Sequence, residues 1–154
     1  MKEISLKLKN TVHQMCLEKV SHNLEQVKNA LLEIQEYAES EDKNSAGDKH
    51  ETGQAMAHLE REKLSPRYEE LKSQLGILNS LDPTVKHKAA GKGSLIRTDK
   101  SILYIAVSLG KIQFDQQDIF VISPSSPVAE QLNGKKEGES YTFNSISFTM
   151  IKLI

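Results

Sequence analysis

The sequence contains one cysteine and no tryptophan, and aromatic residues make up only 5% of its 154 positions. A lone thiol, Cys16, excludes an intrachain disulfide and a zinc site built on several thiolates. No stretch approaches the ~20 apolar residues that a membrane span needs, and the charged N-terminus does not resemble an export signal. We therefore expect a soluble protein that stays in the reducing cytoplasm and has no membrane partner.

The net charge is close to zero, at −1, and the isoelectric point is near 6.5. These values argue against a broadly basic surface that binds nucleic acid. The charge is unevenly distributed, however. Residues 1–80 hold 11 Lys/Arg against 14 Asp/Glu, whereas residues 81–154 hold 9 against 7. Residues 33–51 alone hold seven acids and two lysines, so acidic charge is concentrated around one short region.

Two segments of the first half have apolar residues at alternating steps of three and four. This spacing predicts two long helices that pack antiparallel as a coiled coil. The first should run from about Ser5 or Asn10 to about Glu41, and the second should start near Asp48 or His50. The residues that carry the pattern are Leu17, Val20, Leu24, Val27, Leu31, Ile34 and Ala38, then Leu64, Tyr68, Leu71, Leu75 and Leu78.

The hairpin predicted over residues 1–81 has an acidic tip at 43–52, where turn-forming residues let the chain reverse. Pro66 lies inside the second helix. Because proline removes a backbone donor and clashes one turn back, we expect a kink or short break near Leu64-Ser65. Leu81-Asp82-Pro83 should end this helix, since the residue before a proline avoids helical geometry.

After a predicted linker at 82–93, residues 94–154 change to short β-type runs separated by turn residues. One short helix interrupts them, with Ser126 as its N-cap, Pro127 at its first position and Asn133-Gly134 at its end. The expected fold class is therefore α+β: a helical hairpin followed by a small antiparallel sheet with one helix. The six runs are Leu95–Arg97, Ser101–Val107, Lys111–Phe114, Ile119–Ile122, Tyr141–Phe143 and Ile146–Ile154.

Asp48 and Glu51 are three positions apart, so they project from one face if the second helix begins at the tip. They can be ordinary acids at a helix start, favoured by the helix dipole. Alternatively, they can supply two hard oxygen ligands for a divalent cation shared with another macromolecule's site. His50 and His58 have no zinc-motif spacing, and we treat them as ordinary hairpin residues.

Two stretches of the sequence closely resemble the bacterial Gre transcript-cleavage factors. Residues 122–139 are similar to the family's C-terminal signature, roughly I-S-x-x-S-P-[IVL]-A-x-x-L-x-G-K-x-x-G-D. Residues 47–51, Gly-Asp-Lys-His-Glu, resemble the family's tip motif G-D-x-x-E. In that family, an antiparallel coiled coil precedes an FKBP-like C-terminal domain, which matches the order of parts predicted for residues 1–81 and 94–154.

The resemblance implies a transcription elongation factor that binds RNA polymerase at its secondary channel and stimulates cleavage of backtracked RNA near the nascent 3′ end. Asp48 and Glu51 would assist a Mg²⁺ shared with the polymerase active site, and the factor would hold no cofactor alone. It would act as a monomer and would not itself be an enzyme. The surface that docks on the channel rim would include Ser125, Ser126, Pro127 and Lys135.

Several departures from the family pattern keep other functions open. Residues 52–55 are Thr-Gly-Gln-Ala where the family typically has N-A-E-Y. This difference makes a channel-binding regulator or inhibitor that does not stimulate cleavage a close second to the leading hypothesis. Ser125 stands where an Asp is usual. A prolyl isomerase is a weaker alternative, since the few aromatic residues argue against the apolar pocket that such enzymes use.

Overall fold

The structure is a computed structural model that describes residues 3–43 and 47–154, without the side chains of residues 41–50. The chain divides into two compact units: Glu18–Leu75, and Met1–Leu17 together with Gly76–Ile154. The domains predicted from sequence, with boundaries at 81 and 93, were continuous stretches of chain. The observed units instead group residues by their contacts in space, so one unit combines two separate stretches. As a result, the first turns of the first helix belong with the C-terminal residues. Neither long helix contains a described stretch apolar enough for a bilayer.

Helix α1 spans Leu6–Lys43, close to the predicted bounds. Ser5 caps its N-terminus, since Leu8 N donates to Ser5 Oγ at 3.1 Å. In the first turns, apolar residues at helical spacing face the interior, and Cys16 is fully buried among them, as expected for a packing residue. The buried apolar positions of α1 are Leu8, Val12, Cys16 and Val20.

Helix α2 spans Gly47–Ser80 and continues through Pro66 without interruption. The continuous helix excludes the short break predicted near Leu64-Ser65, while the kink, the other form of that prediction, stays a prediction. Pro66 is exposed, so solvent can satisfy the Glu62 carbonyl that loses its helical donor, and buried residues such as Leu71 hold the following turns in place. Tertiary packing outweighs the local preference of one proline here.

The unit Glu18–Leu75 is a two-helix hairpin made from parts of α1 and α2. Gln54 Nε2 on α2 donates to the carbonyl oxygen of Ala38 on α1 at 2.7 Å, which fixes the antiparallel register near the turn. Ala57 is buried at the same seam. These contacts confirm the predicted helical hairpin.

The six strands of the chain form one sheet in the order β3-β4-β2-β1-β6-β5. Each of the six predicted runs corresponds to one of these strands. The sheet is mixed, because β2 and β4 pair in parallel where antiparallel pairing was expected. Hairpin β3–β4 folds back so that β4, rather than β3, lies beside β2. The strands are β1 Leu95–Thr98, β2 Ile102–Ile105, β3 Gly110–Phe114, β4 Gln117–Ile122, β5 Ser140–Phe143 and β6 Ile146–Leu153.

Two of the hairpin turns place non-glycine residues at positive φ. Asp115 and Gln116 have φ of 51° and 63°, and Asn144 and Ser145 have 49° and 63°. Two consecutive left-handed residues in a two-residue loop define a type I′ turn, whose twist matches that of the flanking strands. The turn predicted at 144–145 is thus confirmed, and the one predicted at 115–118 is shorter, because Gln117 and Asp118 already belong to β4.

Helix α3, Pro127–Leu132, packs on one face of the sheet. Its buried Ala129 and Leu132 join a cluster contributed by β1, β2, β5 and β6. The first turns of α1 contact the sheet as well, through His13 and Tyr104. The confirmed fold class is α+β, a helical hairpin with a sheet that carries one short helix. The cluster comprises Ala90, Ile96, Leu103, Ile105, Ala129, Leu132, Tyr141, Met150 and Leu153.

The segment predicted as a linker, residues 82–93, is held by hydrogen bonds over its length. Asp82 Oδ1 accepts from the amide and hydroxyl of Thr84 at 2.9 and 2.6 Å. Ala90 exchanges backbone hydrogen bonds with residues 134 and 135, and Gly93 N donates to the Ile105 carbonyl at 2.6 Å. This segment therefore packs as part of the unit that contains the sheet.

Candidate tip and docking residues

Of the tip predicted at 43–52, residues 44–46 lie outside the described residues, and helix α2 begins at Gly47. Asp48 lies in the first turn of this helix, and its side chain is outside the described residues, as is that of His50. Glu51 follows in the next turn with an exposed side chain. Helical backbone from Gly47 onward puts positions 48 and 51 on one face, while the pairing of their carboxylates stays a prediction.

A metal held by this chain alone would need more ligands than the predicted pair. Among the side chains that the structure describes, no three His, Cys, Asp or Glu residues are grouped closely enough to hold an ion. Two carboxylates suit Mg²⁺ only when water, phosphate or another protein completes its octahedral shell. The shared Mg²⁺ at Asp48 and Glu51 stays a prediction, because the Asp48 side chain lies outside the described residues.

Residues 52–55, where the sequence departs from the Gre pattern, lie in α2 directly after the tip. Gly53 is buried, and the Gln54 side chain is engaged by the Ala38 carbonyl of α1. Thr52 and Ala55 are exposed. Position 54 therefore joins the two helices, so its amide is directed to the partner helix of the hairpin.

The predicted docking loop precedes α3. Ser126 has extended backbone (φ −66°, ψ 149°), and its Oγ accepts from Ala129 N at 3.3 Å, as an N-cap should. Pro127 occupies the first helical turn, where a missing N–H removes no hydrogen bond. Ser125 Oγ lies 2.9 Å from Ser123 Oγ. Ser125 and Pro127 are exposed, whereas Ser126 is half-buried.

Lys135 lies just beyond α3 and is half-buried. Its amide donates to the Leu132 carbonyl at 2.9 Å, and its carbonyl accepts from Ala90 N at 2.7 Å. Gly134, at φ 80°, supplies the left-handed turn that ends the helix, and its amide donates to Ala90 O. The Gly134-Lys135 pair of the signature is therefore held in place by its backbone hydrogen bonds.

The end of the signature is joined to β6. Leu153 N donates to Glu137 Oε1 at 2.9 Å, and Gly138 N donates to the Met150 carbonyl at 2.8 Å. Met150 N in turn donates to Glu139 O at 2.9 Å. Much of the motif that suggested a family thus has a structural purpose. Exposed side chains of the motif, among them those of Ser125, Pro127 and Lys136, can meet another molecule.

Sequence reasoning missed a buried polar cluster at the base of α1. Lys9 is fully buried, and its Nζ donates to the carbonyl oxygens of Val85 at 2.7 Å and Ile154 at 3.1 Å. It also lies 3.2 Å from Nδ1 of His87. A sequence signal existed: Lys9 shares a helix face with Val12, Cys16 and Val20, which is an unusual place for an unpaired cation.

Burial lowers the pKa of Lys9 to about 8, partly opposed by the charge of Asp82. Burial also lowers the pKa of His87 and of His13. His13 donates to the Leu78 carbonyl, so its Nδ1 accepts from the Tyr104 hydroxyl at 2.7 Å. Burial raises the pKa of that hydroxyl, which stays protonated. The cluster comprises one cation and two neutral imidazoles.

Comparison with known proteins finds no family model that matches this chain and no matching curated protein. The chain is similar to a solved structure described as "Structure of the transcription factor Gfh1", with 17% sequence identity and a TM-score of 0.35. The similarity covers 90% of this chain and 92% of that one.

Proposed function

We propose that this protein is a transcription elongation factor that binds RNA polymerase at its secondary channel. Through its acidic tip it stimulates cleavage of backtracked RNA. The observation that carries the proposal is the presence, in one chain, of G-D-x-x-E at a helix start after a long helix and the S-P-x-A signature around a capped α3.

The hairpin has dimensions that suit a narrow channel. Its part of α1, residues 18–43, extends roughly 40 Å at about 1.5 Å per residue. Two antiparallel helices joined near Gly47 form a slim element with Asp48 and Glu51 next to the reversal. Such a probe can carry carboxylates into a site that a globular domain cannot enter.

The chemistry we propose belongs to the polymerase, and this protein contributes ligands rather than a nucleophile. Two-metal phosphodiester hydrolysis requires a second cation beside the phosphate, which orients and activates the attacking water. Asp48 and Glu51 would stabilise that Mg²⁺ in the complex only. The factor is then no enzyme by itself and acts as a cytoplasmic monomer on the polymerase and its nascent RNA.

The docking part of the proposal concerns the exposed side chains near α3. Ser125 and Pro127 are presented by a loop that the Ser126 cap holds in one conformation, and Lys135 follows at the other end of the helix. A rigid loop loses little entropy on binding. We therefore assign polymerase docking to Ser125, Ser126, Pro127 and Lys135.

A regulator that occupies the channel without stimulating cleavage is the second candidate. Position 54 is glutamine, so it offers no carboxylate, and its amide donates to the Ala38 carbonyl. Ala55 offers no aromatic ring next to the tip. Such a tip would still place two acids near the active site. It would hold water and metal less firmly there.

The test uses stalled elongation complexes of the cognate polymerase and measures shortening of the RNA 3′ end with and without this protein. Asp48→Asn and Glu51→Gln should each abolish stimulation while polymerase binding is retained. Glu36→Gln, which removes an exposed acid of α1 away from the tip, is the matched control and should behave as wild type.

Three outcomes separate the candidates. Stimulation that is unchanged in both tip variants refutes the role of the tip. Binding without any stimulation by the wild-type protein supports the channel-binding regulator instead. Absence of binding, even at high concentration, refutes the proposed function as a whole.

A further inference from the structure

The two-helix hairpin has a groove on each side, and the grooves carry opposite charge. The first, which we term the acidic groove, has a volume of 410 Å³. The small residues Ala30 and Ala57 create the depression, Tyr37 and Met56 form its apolar walls, and Glu33 and Glu60 lie along it. It is shaped to take a bulky apolar side chain that comes with positive charge.

The second groove, which we term the basic groove, has a volume of 590 Å³ and shares no lining residue with the first. Lys28 and Arg61 line it together with Leu32 and Tyr68. Glu60 and Arg61 are consecutive in α2, and a step of one residue turns a helix by about 100°. They consequently flank the seam on opposite sides.

Both grooves expose large apolar side chains. Met56 is 62% exposed and Tyr37 49% in the acidic groove, and Leu32 is 48% exposed in the basic groove. Neighbouring exposed apolar residues of this size are typical of an interaction surface. None of the four groove charges forms an ion pair with any side chain that the structure describes.

We propose that the hairpin is a self-association surface, in which the acidic groove of one copy receives the basic groove face of a second copy. Leu32 would insert between Tyr37 and Met56 of the other copy. Lys28 and Arg61 would then lie against its Glu33 and Glu60. Apolar contact supplies the affinity, and the charges set the register.

Charge also selects this pairing over the symmetric alternative. Two acidic grooves facing each other would bring four carboxylates together, and two basic grooves would bring four cations together. The heterologous pairing leaves one groove of each sign free at the ends of a stack. Assembly is therefore open-ended and grows with protein concentration. Self-association covers the sides of the hairpin, so a stacked copy is unavailable for insertion into a channel.

The test is sedimentation velocity of the full chain from about 1 μM to about 1 mM. The average mass of the wild-type protein should rise with concentration. Reversing the acidic groove with Glu33→Lys and Glu60→Lys, or the basic groove with Lys28→Glu and Arg61→Glu, should weaken self-association by about tenfold or more. Glu36→Lys with Glu62→Lys, which changes net charge equally at exposed positions outside both grooves, should not.

Mixing the two groove variants is the decisive measurement. Each retains one native groove and carries one reversed groove, so the mixture offers attractive pairs that neither variant has alone. Association should return to the wild-type level. A wild-type protein that is monomeric throughout, or groove variants that associate as wild type does, overturns the proposal, and so does a mixture without recovery. Should the variants instead lose polymerase binding while the wild type stays monomeric, the grooves serve the polymerase.

Discussion

The ammonium of Lys9 lies 3.2 Å from Nδ1 of His87, although 78 positions separate the two residues. Lys9 comes from the first turn of α1, and His87 comes from the segment that follows α2. The ammonium is fully buried and also donates to the Val85 and Ile154 carbonyl oxygens. One side chain thus joins the start of the chain to two later segments, and its ionisation is linked to folding.

The first prediction concerns stability at alkaline pH. Burial lowers the Lys9 pKa from 10.5 to about 8, so between these values the unfolded chain binds more protons than the folded one. Stability should therefore rise with pH across this window, by ~1–3 kcal/mol. Lys9→Met should lack this rise, whereas Lys7→Met, at an exposed position of the same helix, should keep it. Urea unfolding at stepped pH values measures both slopes.

Stability on the acid side should depend on the two histidines. The pKa values of His13 and His87 are lowered by burial, so the unfolded chain binds more protons as pH falls through about 6.5. The folded state should lose stability over that range. Combining His13→Gln with His87→Gln should flatten the pH dependence between about pH 6.5 and 5, in contrast to His22→Gln on the exposed side of α1. A wild-type slope in the double variant would contradict this assignment.

The third prediction separates capping from docking in the loop before α3. Ser126→Ala removes the acceptor of Ala129 N and should lower the free energy of unfolding by about 1 kcal/mol. Ser126→Asp keeps an acceptor and should retain most of the stability. Ser125→Ala, which removes an exposed hydroxyl, should change stability by less than about 0.5 kcal/mol. Thermal unfolding measures all three variants, and equal losses for Ser125→Ala and Ser126→Ala would be inconsistent with the cap.

Glu137 should be a structural residue of the signature. Its carboxylate accepts from Leu153 N at 2.9 Å, so Glu137→Ala leaves that amide without its acceptor and should cost about 1 kcal/mol. Glu137→Gln retains a carbonyl oxygen and should be nearly neutral. Glu130→Ala, at an exposed position of α3, is the control. Amide hydrogen exchange at Leu153 reports directly on this bond, and unchanged protection in Glu137→Ala would rule it out.

Features governed by near neighbours in sequence were predictable. The three-four spacing predicted α1 and α2, the Ser126-Pro127 pair predicted the start of α3, and the residues at 144–145 predicted a tight turn. Each depends on hydrogen bonds or side-chain contacts within a few positions. The predicted tip acids Asp48 and Glu51 also follow from local spacing, and their mutual geometry stays a prediction.

The failures of sequence reasoning involve long-range contacts. Pro66 has a strong local preference against helix, yet the packing of residues around Leu71 keeps α2 continuous. The parallel pairing of β2 with β4 joins strands that are not consecutive, so no connecting turn in the sequence predicts it. The structural role of Glu137 could likewise not be predicted, because Leu153, whose amide its carboxylate accepts from, is 16 positions away.

By itself, then, the sequence determined where helices, strands and turns lie, because periodicity, caps and turn chemistry act over a few residues. Only the tertiary structure decided the order of strands in the sheet and the burial of Lys9 with His13 and His87. It also decided the opposite charges of the two hairpin grooves. Those features arise when residues far apart in the chain share one environment, and the free energy of burying a charge depends on partners that local sequence does not specify.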